Sequence, residues 1–71
     1  MDARAVIHEI EKRRKSMGIS TLYLSKVANV TTATYRNWRD GRTSPPYDSL
    51  VAMKEAIDAA ESRLGMRKKA S

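Results

Sequence analysis

The stretch NVTTATYRNWRDG, Asn29 to Gly41, holds the side chains best equipped for recognition chemistry. Asn37 can donate and accept together, the pattern that pairs with adenine, and Arg36 carries the fork that pairs with guanine. Thr32 can hydrogen-bond a base or touch a thymine methyl, and the Ala33 methyl can do the latter. On a helix, residues three and four apart share a face. Thr32, Ala33, Arg36 and Asn37 then line one side, with Tyr35 and Trp38 on the other. We expect Trp38 to anchor the helix and the small polar face to enter a DNA groove. The alternative is that these side chains are ordinary surface.

Nothing else in the chain carries chemistry. There is one histidine, His8, and no cysteine, glycine-rich phosphate loop or convincing pair of acids. No catalysis, cofactor or metal site is expected, and Cys-based zinc sites and disulfides are excluded.

A chain of 71 residues makes one domain at most and buries a small core. No apolar run approaches a membrane span, and the start MDARAVIHEIEKRRK lacks a secretory apolar region, so a cytoplasmic, nucleoid-associated setting is expected. The net charge of +6 points to a polyanionic partner, although composition alone is equally consistent with plain solubility. Its distribution says more. Residues 19–46 carry about +3 and residues 47–65 about −2, while Arg67, Lys68 and Lys69 make residues 66–71 a basic tail.

The elements that must position these residues are all helical. Val6, Ile7, Ile10, Arg14 and Met17 repeat at helical spacing over about 3–17, with Asp2 as N-cap and Gly18 as terminator. Ser20 caps a second, short helix bearing Leu24, Val27 and Ala28, with Ile19 stapling against Leu24. Asn29 tolerates the left-handed conformation of a sharp turn. Val30 follows, Thr31 caps a third helix over about 32–40, and Gly41 ends it. RTSPP, 42–46, is a loop. A fourth helix starts near Tyr47, and Gly65 is expected to end it. Its Leu50, Met53, Ile57, Ala60 and Leu64 form an apolar seam. Leu24, Val30, Tyr35, Trp38 and Leu50 are the expected core anchors, and Tyr47 is expected to pack between loop and helix. The domain spans 1–65, with the helix pair at about 20–40.

ISTLYLSKVANVTTATYRNWRDGRTSPPYDSLVAMKEAI resembles the phage repressor and Cro type of helix-turn-helix domain, the XRE family. The resemblance covers roughly residues 4–58, with Ile19, Leu24, Val30, Trp38, Gly41, Pro45, Leu50 and Ile57 in register. It implies an all-α, lambda-repressor-like bundle of four to five helices whose third helix reads double-stranded DNA. The family's turn glycine is Asn29 here, and its alanine after Leu24 is Ser25. Its glutamate after the tryptophan is Arg39, and the first-helix arginine that this acid often pairs with falls at Arg14. Two arginines cannot pair, so the bridge is absent or comes from Asp40, Glu11 or an acid on the fourth helix. Tyr35 replaces an aliphatic residue and needs a partner for its hydroxyl.

Helix starts favour phosphate, which selects Ser20, Thr21 and Thr31. Arg39, Arg42, Thr43 and Ser44 flank the third helix as backbone contacts. One recognition helix reads few base pairs, so a homodimer on an inverted repeat is expected. Met53, Ile57, Ala60 and Leu64 are the candidates for its two-fold contact. The size fits a phage or mobile-element repressor controlled by its own concentration or by a partner. The alternatives are an excisionase-like or architectural DNA binder, an antitoxin- or antiactivator-type module that binds a protein partner, and an RNA binder.

Overall fold

Asp2, Ser20 and Thr31 each turn a side-chain oxygen back onto the chain, and each starts a helix. Asp2 accepts from the Arg4 amide, Ser20 from that of Tyr23 and Thr31 from that of Thr34, at 3.0, 3.1 and 3.2 Å. Each bond satisfies one of the amides that a helix start leaves without a partner. The structure, a computed structural model, describes residues 2–70, with side chains to residue 65. In it the helices are α1 (Ala3–Met17), α2 (Thr21–Val27), α3 (Thr32–Asp40) and α4 (Tyr47–Ala70). The described residues contain no strand, so the fold is an all-α globule of four helices.

The ends are as local. Gly18 and Gly41 close α1 and α3 in the left-handed conformation, with φ of 71° and 79°. Among the described residues Asn29 is the one non-glycine residue with positive φ, at 59°, between α2 and α3. The Val30 amide there donates to the Ser25 carbonyl at 2.9 Å, which keeps the connection tight.

Gly65 does not end α4, which runs on to Ala70. Its φ is not positive, and glycine weakens a helix interior without breaking it unless the backbone turns left-handed. The side chains of the basic residues Arg67, Lys68 and Lys69 lie outside the described residues.

The core is Ile7, Ile10, Leu24, Tyr35, Trp38, Leu50, Met53 and Ile57, drawn from all four helices. Val30, expected as an anchor, is only partly buried at its edge. The helix α4 packs on α1 and α2, and α3 packs on α1 and α2. Tyr35 and Trp38 meet edge to face, centroids 6.5 Å apart.

Two expectations about α4 need correction. Met53 and Ile57 are wholly buried within this one chain, at 0% exposure, so they are not free to meet a second copy. The seam along α4 is consumed by α1 and α2, and only Ala60 and Leu64 keep part of their surface. Tyr47, expected to pack between loop and helix, is 64% exposed.

Candidate nucleic-acid interface

A helix advances 100° per residue, so the buried pair Tyr35 and Trp38 dictates what α3 presents outward. Ala33 and Arg36 are exposed on the opposite side, with Thr32 and Asn37 half-buried at its margins. All four expected base-contact residues therefore line one continuous surface. Asp40 shares it at the C-terminal end, where its carboxylate takes Arg39 Nε at 3.1 Å.

The loop beyond α3 is tied to it by the backbone. The Asn37 carbonyl accepts from the amides of Arg42 and Thr43, at 2.9 and 3.4 Å. Arg42, Thr43 and Ser44 are exposed, and Pro45 is buried beneath them. Ser20 and Thr31, also exposed, spend their hydroxyl oxygens as caps, and Thr21 is half-buried.

The other side of α3 rests on a buried carboxylate. Tyr35 donates its hydroxyl to Glu11 Oε1 at 2.8 Å. Arg14 grips the same carboxylate with two bonds, Nε at 2.7 Å and Nη2 at 3.0 Å, and donates from Nη1 to the Ile19 carbonyl at 2.9 Å. Glu11 is thus the acid that serves Arg14 in place of one after Trp38, and it is also the partner of Tyr35. The two hydrogen-bond donors, Arg14 foremost, hold the Glu11 carboxyl below the usual carboxylate range against the opposing effect of burial. Burial, then the carboxylate, push the Tyr35 phenol well above its ordinary value. No buried side-chain polar atom among the described residues lacks a partner.

Charge is compensated unevenly. Arg13 takes both Asp58 and Glu61 at 2.7 Å, and Lys54 reaches Asp58 at 3.4 Å, so much of the α1–α4 side is neutralised. Between Ile19 and Pro46 the only acid is Asp40. Among the described residues Lys26, Arg36 and Arg42 hold no carboxylate at ion-pair distance. Lys12 and Arg63 are also unpaired among the described residues, but they sit on α1 and α4, helices that carry several acids.

Comparison with known proteins finds no matching family model, no matching curated protein and no matching solved structure. A convex helix face with a methyl, a hydroxyl, a carboxamide and a guanidinium, flanked by unpaired cations, is suited to base edges and phosphates together. No described helix is long and apolar enough to cross a membrane.

One residue of this region escaped the sequence. The Arg4 guanidinium lies alongside Gly41, so that a methyl there would sit 3.6 Å from its Nη2. No periodicity or local motif connects the start of α1 with the end of α3.

Proposed function

We propose that the chain binds double-stranded DNA with α3 in the major groove and acts as a small, non-enzymatic transcriptional repressor of the lambda-repressor-like helix-turn-helix type. The observation that carries this reading is the outward face of α3. Thr32, Ala33, Arg36 and Asn37 share it, and Arg36 is left without an acid. Asn37 and Arg36 read bases, while Arg42, Thr43, Ser44 and the starts of α2 and α3 meet phosphates. The tight turn at Asn29 and the Tyr35–Trp38 anchor support it, because both hold α3 rigidly on the globule.

A homodimer on an inverted repeat belongs to the same proposal, since one helix reads only a few base pairs. Of the seam residues on α4, Ala60 and Leu64 remain available for its contact.

Footprinting of the protein on the DNA upstream of its own gene tests the reading, with a random duplex of equal length as competitor. A protected, two-fold related site is expected. Equal binding to both duplexes would favour an architectural role.

A protein-interaction module is the second reading. Leu22 and Tyr23 favour it, being 51% and 41% exposed side by side on α2. Absence of any duplex binding, with tight capture of one protein, would establish it instead.

A further inference from the structure

The basic residues in contact with partners on this molecule follow a simple pattern. Arg13, Arg14, Arg39, Lys15 and Lys54 each hold a carboxylate. Arg4 holds none among the described residues, although α1 begins beside an acid. The Asp2 carboxylate is committed to the Arg4 backbone amide at 3.0 Å, not to its guanidinium.

The guanidinium instead reaches across to the end of α3. Gly41 offers it a surface with no side chain, and Nη2, Cζ and Nε would stand 3.6, 3.7 and 3.9 Å from a methyl at that position. Arg4, Trp38, Gly41, Thr43 and Ser44 line one small concavity. Beside it stands Arg42, exposed and unpaired, its amide bound to the Asn37 carbonyl at 2.9 Å. The Arg4 guanidinium and two exposed hydroxyls thus share one concavity with no acid in its lining, on the loop that also bears the exposed Arg42. Guanidinium groups paired with hydroxyls are the donors that hold a phosphodiester oxygen.

We propose that Arg4 is a phosphate-binding residue: together with Arg42 and the hydroxyls of Thr43 and Ser44 it clamps one backbone phosphate of a DNA duplex at the C-terminal end of α3. The inference rests on the DNA-binding reading above. It adds α1 to the DNA contact, so that the start of the chain and the reading helix are locked to the same strand. Arg4 fixes register and carries no base preference.

A random-sequence duplex suffices as probe, because phosphate contacts do not depend on sequence. Binding of a fluorescein-labelled 20-base-pair duplex is followed by anisotropy from low to moderate salt for the wild type, Arg4→Gln, Arg4→Lys and Arg42→Ala. Each lost phosphate contact lowers the slope of log K against log salt by about 0.9, which is about eightfold in affinity at about 0.1 M salt. Arg4→Gln and Arg42→Ala are expected to lose that slope each, and Arg4→Lys to recover most of it, with thermal melts unchanged at this exposed position. A wild-type slope in Arg4→Gln beside a reduced one in Arg42→Ala overturns the clamp and leaves the DNA reading standing. A loss in Arg4→Gln that Arg4→Lys does not recover makes Arg4 a packing residue and also overturns it. If the wild type itself shows no salt-dependent duplex binding, the DNA reading falls, and the clamp with it.

Discussion

Tyr35 and Glu11 are joined by a hydrogen bond of 2.8 Å inside the core, and this bond fastens α3 to α1. Arg14 completes the unit by gripping Glu11 and the Ile19 carbonyl, which brings in the connection to α2. Three segments of chain meet on one carboxylate. Removing the phenol oxygen with Tyr35→Phe leaves Glu11 its two bonds from Arg14 and should cost about 1–2 kcal/mol. Glu11→Ala strands both Arg14 and the Tyr35 hydroxyl and should cost more, about 3 kcal/mol. Urea unfolding of the two variants measures the order, and a costlier Tyr35→Phe would contradict it.

The same unit sets a pH dependence at both extremes. The Glu11 carboxyl is depressed, so its stabilisation is complete above the ordinary carboxyl range and is lost as the pH falls below about 4.5 through its folded value. The Tyr35 phenol is raised, so its contribution is complete below its ordinary value of about 10 and is lost as the pH rises beyond it. Asp58, held low by Arg13, acts in the same direction as Glu11. Glu11→Gln should flatten the acid limb of a melting-temperature profile, and Tyr35→Phe the alkaline limb. Wild-type slopes in both variants would sever the link.

Trp38 and the Arg36–Asn37 pair stand on opposite sides of one short helix, so their variants should fail differently. Trp38→Ala empties a site only 5% exposed and should cost about 3–5 kcal/mol, comparable with the whole stability of a small domain. Arg36→Ala and Asn37→Ala should stay within about 0.5 kcal/mol of the wild type and lose about 1–3 kcal/mol of operator binding, each at its own base pair. Melts paired with binding to every single-base variant of the footprinted site decide this. Wild-type binding by both would remove α3 as the reading element.

Ile57 and Leu64 share one face of α4, yet Ile57 is wholly buried and Leu64 half-exposed. Ile57→Asp should unfold the chain, because it sinks an unpaired charge into the core. Leu64→Asp should leave the melt nearly unchanged and convert a dimer to a monomer in sedimentation. A folded Ile57→Asp monomer would restore the whole seam to a dimer contact.

Asn29 adopts positive φ without being glycine. Asn29→Gly should be tolerated, and Asn29→Val should lose on the order of 1–2 kcal/mol through strain at the α2–α3 turn. Equal melting of the two would mean that the turn relaxes elsewhere.

Sequence alone determined the four helices and their ends, except the C-terminal end of α4, which runs past Gly65. Asp2, Ser20, Thr31, Gly18, Asn29 and Gly41 act within a few residues of themselves, through a cap bond or a left-handed backbone, so their neighbours suffice to place them. The common face of Thr32, Ala33, Arg36 and Asn37 was equally legible, because helical geometry makes it a matter of spacing. Tertiary structure decided what those helices do to one another. Glu11 was one of several acids that could have answered Arg14, and only the approach of α1 to α3 selected it for Arg14 and Tyr35 together. The α4 seam is apolar whether it meets its own chain or another, and the packing of α1 and α2 on Met53 and Ile57 settled the matter. Arg4 reached Gly41 from the far end of the chain. Spacing encodes which residues share a face, but which face meets which depends on contacts between residues distant in sequence, and these exist only once the chain has closed on itself.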